Sequence, residues 1–185
     1  MRATSAIGDG AGAREPHVYQ VGDKVMHPYH GAGVIAALEQ SELLDDFRRY
    51  YIIELAGQQM RLMVPVRKAE EIGLRLVAGP DSWPAILAIL NGDAESLPDD
   101  FKARQSHIHE RLKLGTAEAL ARIVRDMAHR GRDRTYSPTE QRLYDQARNM
   151  LGSELALSRD TAVDQALALI DGQVGVSGAA ASPSE

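Results

Sequence analysis

One stretch restricts what this chain can fold into more than any other. It is Val21-Gly22-Asp23-Lys24-Val25-Met26-His27-Pro28-Tyr29-His30-Gly31-Ala32-Gly33-Val34-Ile35, which reads as strand, tight turn, strand. Pro28 has no amide hydrogen, so the first strand ends there. Gly31 and Gly33 allow a backbone bend that Cβ atoms would obstruct. The run then continues through Leu38 as a second strand. Small barrels close their sheets with a corner of this kind.

The strand pattern persists downstream. Gln40 to Asp46 is a polar, acidic connection, and Arg48 to Leu55 is rich in aromatic and β-branched residues, as strands are. Ala56-Gly57-Gln58 is turn material. From Gln59 to Val66 the residues Met60, Leu62 and Val64 alternate with Gln59, Arg61 and Met63, the period of a half-buried strand. Leu74 to Val77 can close the sheet as a fifth strand. Five short strands without a long helix predict a small SH3-like or Tudor-like β-barrel over residues 18–78. A domain of that size is near the lower limit for an independent core, so the next helix is expected to help cover it.

Helical spacing then takes over. Ser82 is placed to cap a helix through Leu90 with Pro84 in its first turn, and Trp83 to anchor barrel against helices. Pro98-Asp99-Asp100 starts a second helix that stops at Gly115. Thr116 caps a third, with Leu120, Ile123, Val124 and Met127 as its apolar stripe. Ser137-Pro138-Thr139-Glu140 is a capping box with Pro at the first helical position. Thr161 and Asp164 read as cap and third residue of a last helix through Ile170. The expected class is α+β: a five-stranded barrel followed by a compact bundle of about five helices over residues 79–171. Residues 1–17 and 172–185, poor in groups to bury, read as a disordered arm and tail.

Charge is uneven. Residues 101–134 hold nine Lys or Arg against four acids, about +5, in a chain whose net charge is −5, so the remainder carries about −10. Such an island is either a solvated helix face or a contact for a polyanion. There is no cysteine, hence no disulfide framework or thiolate metal site. The N-terminus lacks the apolar core of a signal peptide and no apolar run reaches membrane-spanning length, which suits a soluble cytoplasmic protein.

Catalytic chemistry has little to stand on. His27 and His30 flank the turn without a carboxylate pair at ligand spacing, and His107 and His109, two apart on a helix, point to different faces. Gly31-Ala32-Gly33 lacks the Lys of a phosphate loop and precedes a strand, not a helix. No Ser lies in a nucleophile elbow. The expectation is a non-enzyme without cofactor or metal.

Val21 to Val34, Tyr50 to Leu55, Met63-Val64-Pro65-Val66 and Ile72-Gly73-Leu74-Arg75 form one set of blocks. Leu112-Lys113-Leu114-Gly115, Ile123 to Met127, Leu143 to Arg148 and Leu151 to Leu157 form a second. In this order, from about Tyr19 to Ile170, they resemble the CarD/CdnL family of bacterial transcription regulators. The first block is shared with the polymerase-interacting domain of transcription-repair coupling factors. The resemblance implies a barrel that docks on the RNA polymerase β subunit by adding to a sheet edge. It also implies a helical domain over the upstream edge of the promoter bubble, where basic side chains hold phosphates and an aromatic wedge enters the minor groove. A wedge there slows bubble closure and lengthens the life of the open complex.

Carried over by residue, the wedge position, usually Trp in the family, is Phe101, which is either the wedge or a core side chain. Lys102, Arg104, Arg111, Lys113, Arg122, Arg125, Arg130 and Arg142 are the candidate phosphate contacts. Two arginines that commonly face polymerase fall at Ser41 and Met63, with Arg48, Arg49 and Arg61 on the same expected strands as substitutes. A monomer is expected. The alternative is a protein-interaction adaptor on polymerase that makes no contact with DNA.

Overall fold

The computed structural model describes residues 18–40 and 49–176. Ser41, Arg48, the acidic connection, the N-terminal arm and the tail beyond residue 176 lie outside the described residues.

The opening stretch forms a hairpin, β1 (Lys24–His27) and β2 (Gly31–Gln40), with His27 opposite Gly31 and Val25 opposite Gly33. Pro28 ends β1 as expected. Gly31 has φ +91°, and a Cβ on Gly33 would lie 2.5 Å from the Glu54 carbonyl oxygen and 2.7 Å from Ile53 Cγ2. The first glycine serves the turn and the second the close approach of the neighbouring strand. That neighbour is β3 (Arg49–Leu55), and β4 (Arg61–Pro65) pairs beyond it.

β5 is only Arg75–Leu76 and pairs with β1. The strand order is β4-β3-β2-β1-β5, all antiparallel. Five strands are present as expected, but they do not close: among the described residues no ladder joins β4 to β5. A helical turn, α1 (Ala69–Ile72), lies in the chain between these two edges. Its Ala69 is buried with Val25, Ile35, Tyr51, Ile53, Val64 and Leu74. Apolar side chains from a helical turn thus complete the core where a longer fifth strand would have sealed a barrel.

Five further helices follow: α2 (Trp83–Asn91), α3 (Phe101–Leu114), α4 (Ala117–Asp133), α5 (Pro138–Arg159) and α6 (Val163–Val176). Ser82 precedes α2, but its side chain accepts no capping hydrogen bond. Asp100 caps α3 by accepting from Ala103 N–H at 2.8 Å, so the helix starts at Phe101. Thr116 caps α4, and the capping box of Ser137 and Glu140 is complete, with Glu140 Oε2 accepting from Ser137 N–H at 2.9 Å. Thr161 is not adjacent to α6, which begins at Val163. That helix runs past Gly172, where the tail was expected to start. Val174 is buried in the bundle and its carbonyl accepts from Arg132, which anchors the extra turn.

The sheet keeps a core of its own, and a second, larger core joins the two halves. Met26 and Ala32 of the hairpin are buried in the same cluster as Trp83, Leu120, Met150 and Leu151. Trp83 is fully buried there, consistent with its expected place at the junction. Polar groups complete the seam. Glu154, on α5 and wholly buried, takes both Nη atoms of Arg75 at 2.5 and 2.9 Å and the Ala78 N–H at 2.8 Å. Arg75 also donates to the carbonyl of Gly115, the residue after α3. Burying Glu154 is tolerable because its oxygens are paired on every side.

Candidate functional site

Strand period and strand order together build the first candidate surface. Within β4, Leu62 and Val64 turn inward, whereas Arg61 and Met63 turn outward and are exposed. β4 has β3 on one side and no partner strand on the other among the described residues. Its outer main-chain N–H and C=O groups are therefore open to a further strand. Met63 sits opposite Ile52, and Arg61 pairs with Glu54 at 2.6 Å, its ladder partner. Arg49 is exposed at the end of the β2–β3 ladder, opposite Gln40.

The second candidate surface is the start of α3. Phe101 is its first residue and is 42% exposed, so it is not a core side chain. Asp100 beside it is engaged in capping, which accounts for an acid at this point. Arg104, one turn on, is buried. Its Nε donates to Glu140 at 2.7 Å and its Nη1 to the carbonyls of Pro98 and Asp99 at 2.7 and 2.8 Å. Its guanidinium carbon lies 5.9 Å from the Phe101 ring centroid. Burial alone would raise the Glu140 pKa. The hydrogen bonds from Ser137 and Arg104 overcome this and hold it at about 2.

The remaining basic candidates divide sharply. Arg111 bridges Asp126 at 2.8 Å and Glu95 at 2.6 Å. Arg125 pairs with Asp126 at 2.7 Å and Glu95 at 3.3 Å. Arg130 lies 3.7 Å from Glu140. These guanidinium groups, with that of Arg104, face internal carboxylates. Lys102, Lys113 and Arg142 are exposed and Arg122 half-buried, and among the described residues none of the four is in an ion pair. An open groove of about 250 Å³ between the segment leading into α3 and the end of α4 is lined by both signs, Glu95, Asp99 and Asp133 with Arg130, Arg134 and His129.

The partners Glu95, which is exposed, and Asp126, Glu140 and Glu154, which are buried, were not read in sequence as ion-pair partners. Only Glu140 carried a local signal, the capping box, and its bond to Arg104 spans thirty-six residues. His27 is buried with its ring 4.7 Å from that of His30, and its Nδ1 accepts the Tyr29 N–H. Burial, and secondarily His30, lowers its pKa to about 4. It is a structural, neutral histidine at pH 7. Among the described residues no group of three His, Cys, Asp or Glu is placed to hold a metal, and no helix is long and apolar enough to cross a membrane.

Known proteins match the chain in two consecutive pieces. Residues 19–77 match the CarD-like/TRCF RID domain, and residues 85–171 match the CarD C-terminal domain. "Putative transcription factor YdeB" of Bacillus subtilis (strain 168) is 30% identical over 139 residues, which cover 75% of this chain and 90% of that protein. The chain belongs to the CarD/CdnL family of transcription factors. Its role is accordingly in transcription regulation. Within the CarD frame, the open β4 edge lies in the RID-type half and Phe101 at the head of the first long helix of the C-terminal half.

Proposed function

We propose that this CarD-family protein binds the β subunit of bacterial RNA polymerase through β4 and stabilises the promoter open complex at the upstream edge of the bubble. The observation that carries this reading is the tandem of an RID-type domain with an open sheet edge and a CarD C-terminal domain that exposes an aromatic residue. Strand addition uses main-chain groups for affinity and alternate side chains for specificity. Met63 and Arg61 are those alternate side chains on the outer face of β4. A methionine where the family commonly has arginine is compatible with docking, because main-chain bonds do not depend on the side chain.

On DNA, Lys102, Lys113, Arg122 and Arg142 meet phosphates and Phe101 packs at the fork. Phe lacks the indole N–H and has less area than Trp, so its wedge is weaker and rests on apolar contact alone. No base-edge code is involved; promoters differ through bubble stability and deformability. Binding of the full chain to purified β subunit is the first check, and Arg61→Glu with Met63→Glu should weaken it by at least tenfold. Unaltered binding would move docking away from β4.

A second reading has one observation in its favour: four of the eight basic candidates face internal carboxylates. On that reading the chain is an adaptor on polymerase without DNA contact. Protection of the upstream fork on a pre-melted promoter template separates the two.

A further inference from the structure

We infer that Arg104 and Glu140 form a positioning pair that aims Phe101, and that Arg104 is not itself a phosphate ligand. The inference rests on the reading of Phe101 as the DNA-facing side chain. Its basis is the way residues 98–104 wrap one guanidinium. Nε is held by Glu140, itself fixed to the start of α5 by the Ser137 N–H at 2.9 Å. Nη1 gathers the carbonyls of Pro98 and Asp99, the two residues that lead into the cap. Asp100 then caps α3 and Phe101 follows, its ring over the same guanidinium.

The backbone on the approach to Phe101 and one side of its ring are thus tied to α5 through a single side chain. Phe101 itself stays 42% exposed. A planar fork spans a carboxylate and two carbonyls at once; an ammonium on a flexible stem does not hold that geometry. Glu140 also faces Arg130 at 3.7 Å, so its charge balances cations from two helices. A phosphate approaching Arg104 would have to displace Glu140 or reach a side chain that is 4% exposed.

The test is open-complex lifetime with the full chain, polymerase and promoter DNA across a salt series, for Glu140→Gln, Phe101→Ala, the double variant and Arg104→Lys. Gln at position 140 keeps an acceptor for the capping box, so α5 retains its start. Glu140→Gln and Arg104→Lys are expected to shorten the lifetime about fivefold each, and Glu140→Gln to add nothing to Phe101→Ala, as coupled neighbours behave. The salt dependence should stay parallel to wild type. A phosphate ligand behaves otherwise: Lys substitutes for Arg, and losing Glu140 leaves the lifetime equal or longer. Either result, or an effect of Glu140→Gln that multiplies with that of Phe101→Ala, would overturn the positioning role while leaving the wedge intact. If Phe101→Ala leaves the lifetime unchanged, the wedge reading fails and the positioning role with it.

Discussion

Arg61 on the sheet edge and Arg104, Arg111 and Arg125 of the helical half carry the same charge in opposite surroundings. Arg61 is 71% exposed, and its partner Glu54 is 49% exposed. Arg104, Arg111 and Arg125 are 5%, 19% and 11% exposed, and Asp126 and Glu140, which face them, are 0% and 5%. The first kind of pair sits in water and is screened; the second is held where a missing partner leaves a desolvated charge. The difference teaches that formal charge along a sequence is not charge offered at a surface. The basic island counted over residues 101–134 stops just short of Glu95 and Glu140, two of the acids that neutralise it.

Asp126→Ala puts the greatest strain on this contrast. Asp126 accepts from Arg111, from Arg125 and from the Glu95 N–H. Its loss should cost about 3–5 kcal/mol, the scale for breaking a buried pair. Urea unfolding measures it, and a cost under about 1 kcal/mol would erase the distinction between the exposed and the buried pairs. Gly33→Ala comes next. At this position the sheet half is sensitive through its backbone, because a Cβ there meets the Glu54 carbonyl. About 1–3 kcal/mol should be lost, the range for overpacking, with a lower thermal midpoint as the readout.

Acid sharpens the same contrast. His27 has its pKa lowered from 6.5 to about 4, so the unfolded chain binds its proton first and stability falls as pH drops from 6.5 towards 4. Glu140 has its pKa lowered from 4.5 to about 2, so its contribution is present above 4.5 and lost as pH falls towards 2. Denaturation midpoints against pH should show both steps. His27→Asn should flatten the upper one and Glu140→Gln the lower, and midpoints that do not respond to either substitution would refute the assignment. The smallest effect belongs to Arg61→Ala, below about 1 kcal/mol in stability, since its ion pair is exposed. A larger loss would mean that the β4 edge is held by its charges.

Much of the fold was legible because its signals are local. Pro28 and the two glycines marked the hairpin, alternation marked β4, and Ser137 with Glu140 marked the start of α5. The barrel's closure was not legible, since it depends on how far Leu74 to Val77 pairs, and only Arg75 and Leu76 do. Ser82 shows the limit of cap signals: the residue type is right, but a preceding helical turn holds it in αR backbone and its hydroxyl makes no cap. For the candidate site, Phe101 was legible by family position and is exposed. Arg104, Arg111, Arg125 and Arg130 were legible only as cations. Apart from Asp126 beside Arg125, their partners Glu95, Asp126 and Glu140 come from other segments of the chain, and helical period alone does not pair them.

The proposal that the sheet half docks on polymerase while the helical half holds the melted fork meets its most direct test in one measurement. That measurement is the lifetime of the promoter open complex formed by a bacterial RNA polymerase, challenged with competitor DNA, with and without the full chain. The expected result is a longer lifetime with the protein, shortened again by Phe101→Ala while binding to the β subunit is retained. A lifetime unchanged by saturating protein that is demonstrably bound to polymerase would contradict the account and favour an adaptor.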